Sequence, residues 1–283
     1  MDTLESCLNL MERGCYMASI DLENAYHSVP IHSEYTKFLK FKIDDQLYKY
    51  LVLPQGYRHS PRIFTKLTKP IISHLHERGI LCSLYIDDLY IQGSDFADCQ
   101  QKVEYASSVL KSLGFDISPK SALTPSQEIH HLGFILNSEH MTVTLRGDKR
   151  EHVETLINKV LLTPMITVRT LAQTVGTLIA CFPAIEYGQL YNRHLEILKI
   201  NSLKTVYDFE RLILLSEEAM SDLKWWRNDG PKSKKSLVKE KPRATIKSDS
   251  SGYAWGAVIN NTHSGGVIAL LMVCGAMMKG RST

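Results

Sequence analysis

The sequence predicts an α+β fold in which a mixed layer of strands and helices is followed by a run of helices and then a short β module. Three observations carry that expectation. Short apolar runs such as YMASIDL (16–22) and SLYIDDLYIQG (83–93) have strand length, and helical stretches interrupt them without a regular βαβ rhythm. From about residue 147, KREHVETLINKVL, VRTLAQTVGTLIACF and DFERLILLSEEAMSDLKWW carry helical periodicity and no strand pattern. Beyond a lysine-rich break, ATIKSDSSGYAWGAVIN alternates like a strand entering a hairpin.

Taken in order, residues 16–22 read as a buried strand that stops at Asp21. KFLKFKIDDQLYKYLVLP (37–54) reads as a hairpin, with Phe41, Ile43, Leu47, Tyr48 and Tyr50 around an Asp44–Asp45 turn. A helix follows, with Ser60 as its cap and Pro61 in its first turn. Its apolar stripe is Ile63, Phe64, Leu67, Ile71 and Leu75, and Pro70 within it predicts a kink or break. Residues 83–93 read as strand, acidic turn and strand. The next helix runs from about Asp95 to Leu113 and is ended by Gly114. IHHLGFIL and MTVTL add two more strands. The expected divisions are a mixed layer over 1–146, a helical subdomain over 147–228, a solvated basic linker over 229–243, and a separate module over 244–283. There is no internal repeat.

With 283 residues, 44% of them apolar and 22% charged, the chain has the composition of a globular protein rather than a disordered one. A net charge of +3 permits an acidic partner such as nucleic acid without requiring one. The six cysteines never approach a C-x-x-C spacing, which argues against a zinc site or a disulfide framework and for a reduced, intracellular setting. The opening MDTLESCLNLMERG lacks the apolar core of a secretory signal. The longest uncharged apolar run, Val267 to Met278, is too short to span a bilayer, so no membrane partner is expected.

The adjacent acids Asp87 and Asp88 are the feature most in need of an explanation. Aspartate is a common turn residue, and an acidic pair by itself reads as a turn. Hairpin turns, however, favour Asn-Gly or Asp-Gly, and two like charges side by side are costly unless a cation neutralises them. Asp21 ends its own apolar strand and so can reach the same end of one sheet. Three converging carboxylates make a hard, oxygen-rich site for Mg²⁺ or Mn²⁺. Such a site can hold two ions about 3.5–4 Å apart and serves phosphoryl or nucleotidyl transfer.

ASIDLENAYHSVPI, LPQGYRHSPRIF, LYIDDLYI, LGFDISPKS and HHLGFIL resemble, in order and close to the same spacing, the successive palm motifs of a retroelement reverse transcriptase. IDLENAYHSVPIHSEYTKFLKF and the helical tail that begins at FPAIEYGQLYNRHLE are most similar to the DIRS-type retrotransposons. The resemblance implies an RNA-directed DNA polymerase: a palm with partial fingers over 1–146 and a helical thumb and connection over 147–228. It would extend a primer with deoxynucleoside triphosphates on an RNA or DNA template. By that resemblance Asp21, Asp87 and Asp88 are the metal-binding acids of the catalytic site, with the backbone carbonyl of Leu22 completing the shell around two Mg²⁺ ions. Tyr26 falls where the family has a steric gate against ribonucleotides, against the plain alternative of a core tyrosine. Gln55 and Gly56 match the turn that contacts the incoming nucleotide, and Lys120 matches a lysine near the leaving pyrophosphate; a simple turn and an exposed lysine are the alternatives. Leu132, Gly133 and Phe134 match the hairpin that grips the primer, and otherwise read as a core strand. Lys149, Arg150, Lys159 and Arg169 on the following helices could face phosphates, although most charges on such helices face solvent.

The sequence departs from the family pattern at both ends. Only 20 residues precede Asp21, which implies incomplete fingers and weak nucleotide binding. IKSDSSGYAWGAVI resembles the first strands of a ribonuclease H domain, with Asp249 as its first metal acid, but no Asp or Glu follows, so no ribonuclease H activity is expected. A frameshift or misplaced gene boundary is one reading of that end. The alternative function is a truncated, inactive retroelement fragment that at most binds nucleic acid. A palm polymerase that copies RNA into RNA fits less well with Tyr26 and the Pro54-Gln55-Gly56 turn.

Overall fold

The acidic apolar runs meet in a single five-stranded sheet in the computed structural model, which describes residues 2–203, 208–238, 244–259 and 262–267. The first of two compact units, residues 1–238, opens with helix α1 (Leu4–Leu10) and strand β1 (Tyr16–Glu23). A 3₁₀ turn at Ala25–Ser28 leads to the hairpin β2 (Lys40–Ile43) and β3 (Gln46–Lys49). Asp44 and Asp45 both have positive φ, 47° and 62°, the left-handed pair that a two-residue hairpin needs and that Asp tolerates better than most residues.

Helix α2 (Ser60–Glu77) has Pro61 in its first turn, as expected, but two details differ from the sequence reading. Ser60 is not the cap: its hydroxyl donates to the Pro54 carbonyl at 2.7 Å, and His59 holds the capping position without a side-chain bond. Nor does Pro70 break the helix. Pro70 and Lys66, whose carbonyl lacks its helical partner, are both exposed, so water can take the place of the missing N–H. The buried stripe is Phe64, Thr68, Ile71 and Leu75, whereas Ile63 and Leu67 stay exposed. Thr68 can lie in this stripe because its hydroxyl donates to the Phe64 carbonyl at 3.0 Å.

Strands β4 (Cys82–Tyr85) and β5 (Asp88–Gly93) form the acidic hairpin, and helix α3 (Phe96–Ser112) follows. Asp95 caps α3 by accepting from the Asp98 N–H at 2.9 Å, and Gly114, at φ 85°, ends it. Two further strands, β6 (Asp116–Ile117) and β7 (Ala122–Ser126), both pair with β1, giving the order β4-β5-β1-β6 with β7 also on β1. Alternation along β1 sends Ala18, Ile20 and Leu22 into a core with α2 and α3, and Met17 into a second core on the opposite face.

That second core is closed by β8 (Glu128–His131), β9 (Phe134–Asn137) and β10 (Thr142–Leu145), and then by helix α4 (Gly147–Leu162). The helical region is not free of strands. Strand β11 (Ile166–Thr167) precedes helices α5 (Val168–Ile179) and α6 (Arg193–Ser202) and pairs with β12 (Leu212–Ile213), ahead of helix α7 (Glu217–Asn228). The segment expected to be a solvated linker is partly packed where it is described: β13 (Lys235–Ser236) pairs with β10, and Gly230 lies against Trp226, while Lys232, Lys234 and Val238 stay exposed. Residues 239–243 lie outside the described residues.

The second unit, residues 239–283, contains an antiparallel meander of β14 (Ile246–Ser250), β15 (Ala254–Ile259) and β16 (Thr262–Val267). The expected hairpin therefore gains a third strand, where the sequence pattern had been read as lost. The expectations for residues 268–283 fall outside the described residues.

Candidate active site

Asp21 and Asp88 are direct partners across the antiparallel β1–β5 pair. Asp87 stands in the two-residue turn between β4 and β5, and its carbonyl accepts the Leu22 N–H at 3.0 Å, so the turn is fastened to β1. Ile86, the other turn residue, has φ 57°, a left-handed conformation that a β-branched side chain avoids. Backbone strain of this kind, about 1–3 kcal/mol, persists only where the surroundings hold it in place. Asp21 is held from its other side by the turn between β6 and β7. Its N–H donates to Ser121 Oγ at 2.9 Å, and its carbonyl accepts from the Ser118 N–H at 2.8 Å.

Asp87 and Asp88 feel both their burial and the neighbouring acids. Burial pushes the Asp88 carboxyl up to about 6, and the charges of Asp87 and Asp21 add to that. Asp87 is also raised, by burial first and then by Asp21. An acid with a raised pKa in a polar cluster of like charge is a ready ligand for a cation, because the cation removes the repulsion. The donor set is all oxygen and suits Mg²⁺ or Mn²⁺ better than zinc. Among the described residues no group of three His, Cys, Asp or Glu side chains is arranged to hold an ion as it stands. The strand pairing nevertheless sets Asp21 opposite Asp88 with Asp87 in the adjoining turn, close enough for the charge of Asp21 to raise both of the others.

Tyr26 lies beside this cluster, in the 3₁₀ turn after β1. Its ring meets Phe64 edge-on at 5.7 Å, and its hydroxyl pKa is raised by burial and then by the charge of Asp87. The Leu22 side chain is buried in the core shared with α2 and α3. Gln55 and Gly56 are exposed before α2; Gly56 has φ 83°, which accounts for a glycine there, and the described hydrogen bonds do not join either residue to the acids. Lys120 is exposed in the turn whose serines hold Asp21, and its N–H donates to Ser118 Oγ at 3.3 Å. Leu132 and Gly133 form the turn between β8 and β9, at φ 49° and 80°, and Phe134 is buried directly after it. Asp249 is exposed on β14 opposite Gly256, in the second unit.

The basic residues expected to face phosphates are partly engaged within the protein. Lys149 Nζ lies 3.8 Å from the Phe134 ring centre and donates to the Ala180 carbonyl at 3.0 Å, and Arg169 pairs with Glu210. A cavity of about 700 Å³ lies between Val29, Leu67, Ile71 and Phe115, but its walls are mostly apolar and contain none of the acids. Sequence reasoning missed Asp2, which accepts from Ser83 Oγ at 3.0 Å and the Leu84 N–H at 3.1 Å, and it missed Ser118, Ser121, Ser19 and His131. Ser19 was within reach of that reasoning, since it shares a strand face with Asp21 two residues on.

The antiparallel sheet that sets two acids on a hairpin against a third on the neighbouring strand, with helices packed on it, is a palm-like mixed α/β fold. Residues 1–136, just under half of the chain, match the family model described as reverse transcriptase (RNA-dependent DNA polymerase). It is similar to the Pro-Pol polyprotein of simian foamy virus type 1, at 28% identity over 137 residues, covering 48% of this chain and 12% of the polyprotein. Similarity to the Gag-Pol polyprotein of walleye dermal sarcoma virus is 32% over 135 residues, covering 46% of this chain and 8% of the polyprotein. The chain therefore spans about a tenth of the curated relatives it matches. Among solved structures it shares its fold with a foamy viral protease-reverse transcriptase in complex with double-stranded DNA, at TM-score 0.64 and 19% identity, covering 95% of this chain and 54% of that one. The same viral enzyme in complex with an RNA/DNA hybrid gives TM-score 0.64 at 18% identity over 92% of this chain and 35% of that one.

Proposed function

We propose that this chain is the catalytic core of an RNA-directed DNA polymerase that extends a primer 3′-hydroxyl with deoxynucleoside triphosphates on an RNA or DNA template. The observation that carries the reading is the meeting of Asp21, Asp87 and Asp88 at one end of the sheet, where burial first and then the neighbouring charges raise Asp87 and Asp88. Asp21, Asp87, Asp88 and the Leu22 carbonyl are the residues that would hold two Mg²⁺ or Mn²⁺ ions. Bound there, divalent ions lower the pKa of the primer hydroxyl and neutralise charge on the triphosphate. In this reading Tyr26 stands against the 2′-hydroxyl of a ribonucleotide, which its place beside Asp87 supports. Gln55 and Gly56 form the turn that meets the nucleotide, and Lys120 lies near the leaving pyrophosphate. The Leu132–Gly133–Phe134 turn holds the primer end, and helices α4 to α7 act as thumb and connection.

The foamy viral enzyme's complexes with DNA and with an RNA/DNA hybrid support nucleic acid as the partner. Among the described residues no helix is long and apolar enough to cross a membrane; the intracellular setting rests on the cysteine spacing in the sequence. The DIRS-type affiliation and the reading of Asp249 as a ribonuclease H remnant without activity rest on the sequence motifs. The test is primer extension on poly-rA with labelled dTTP, with and without Mg²⁺, beside Asp87→Asn. Extension that needs the cation and falls by about 10²-fold or more in the variant, with primer–template binding retained, is the expected result. Primer–template binding by the unaltered chain without any extension would overturn the reading.

A further inference from the structure

We infer that His131 is a positioning residue, tying the hairpin turn that holds the primer end to the strand that carries Asp21. The inference rests on the polymerase reading. His131 is the last residue of β8, immediately before the Leu132–Gly133 turn, and is only 3% exposed. Both ring nitrogens have partners: Nδ1 lies 3.1 Å from Ser19 Oγ, and Nε2 lies 3.5 Å from Cys7 Sγ. The ring also stands 5.8 Å from that of Tyr90. Ser19 and Tyr90 are partners across β1 and β5, two residues from Asp21 and Asp88 respectively. Side chains two apart on a strand share a face, so His131 sits on the same face of the sheet as the acids, one layer further in.

A polar ring is an expensive choice for this place, since an apolar side chain of similar volume would bury at less cost. What the ring adds is direction. Apolar packing fixes no particular offset between two elements, whereas hydrogen bonds lose strength steeply with misalignment. Burial lowers the imidazole pKa to about 4, so the ring stays neutral at assay pH, with one N–H and one bare nitrogen. The Ser19 hydroxyl can serve either one. The turn that follows has little freedom of its own, with Leu132 and Gly133 both at positive φ, so fixing His131 on β1 fixes the turn relative to Asp21. Misplacing reacting groups by about 1 Å costs about 10²-fold in rate.

The experiment compares the unaltered chain with His131→Phe, which keeps an aromatic ring, adds some volume and loses both polar bonds, with Ser19→Ala, and with the double variant. The incorporation rate is read in a single turnover from pre-bound primer–template. A primer carrying 2-aminopurine at its 3′ end reports the position of that end without any chemistry. The expected result is a loss of about 10- to 100-fold in rate for either single variant, an altered 2-aminopurine signal, and no change in nucleotide or primer–template affinity. The double variant should lose no more than His131→Phe alone, because the two residues share one tether. Additive losses, or a 2-aminopurine signal unchanged in both single variants, would overturn the inference. Ser19→Ala removes one oxygen atom, so it keeps the test open if His131→Phe does not fold. Failure of the unaltered chain to extend any primer counts against the polymerase reading, and the 2-aminopurine signal then decides the positioning role by itself.

Discussion

Asp88 combines the demands of folding and of the site in one carboxyl group. Its folded pKa is about 6, against an ordinary 3.8, so between those values the native state binds the proton more tightly than the unfolded chain does. The associated stability is fully present below about pH 4 and is lost as pH rises through about 6. At pH 7 the ionised acid is therefore a liability in the absence of a cation. Asp88→Asn should raise Tm at pH 7, and the gain should shrink steadily towards pH 4. With allowance for solvent screening at a partly exposed carboxyl, the effect is on the order of 1 kcal/mol, or about 2–4 °C. Mg²⁺ should stabilise the unaltered chain more than the variant. Thermal melts across pH, with and without Mg²⁺, check both statements, and a gain as large at pH 4 as at pH 7 would show that the charge is not its source. The acids were legible in the sequence because each interrupts an apolar run. His131 was not, since its partners Cys7 and Ser19 lie 124 and 112 residues away and no local pattern points to them.

At the scale of elements, β1, β4 and β5 of the acidic sheet could be read because a buried run has length and a boundary, whereas the two-residue β6 and the mostly exposed β7 could not. The two-residue strands β11, β12 and β13 could not, since two residues show no period. Helix α2 was placed correctly, but its buried stripe runs through Thr68, whose polarity hides it from an apolar count. The stretch after α7 was only partly legible, for a similar reason. Its lysines and prolines suggest a solvated linker, while the packing that holds it comes from a glycine. A Cβ on Gly230 would lie 2.7 Å from Trp226 Cε3 and 2.9 Å from the Trp226 carbonyl oxygen. Gly230→Ala separates the two readings by sign. In a free linker it would be neutral or stabilising by about 0.4–1 kcal/mol. Packed as it is, it should destabilise by about 1–3 kcal/mol in denaturant melts, because the carbonyl oxygen cannot move aside as the end of a flexible side chain could.

Across the whole of residues 2–238, the central sheet is a wall between two cores. Ala18, Ile20 and Leu22 face the core of α2 and α3, while Met17 and Tyr90 face the core built with β8 to β10 and the later helices. A strand that belongs to both cores cannot leave one without exposing the other, so the two should melt together although each has its own side chains. Trp225 and Trp226 report on the second core, where Trp226 is fully buried. Leu75, fully buried on α2, belongs to the first. Leu75→Ala should cost about 2–5 kcal/mol, and the denaturant midpoint seen by tryptophan fluorescence should fall together with that seen by far-ultraviolet circular dichroism. Trp255 is already 45% exposed, so it contributes a weak change to the same signal. If tryptophan emission kept its original midpoint while the circular dichroism lost amplitude early, the cores would be separable. The acids on β1 and β5 would then be anchored by one core at a time, and the rigidity expected of the site would have to come from the turn contacts of Ser118, Ser121 and His131 instead.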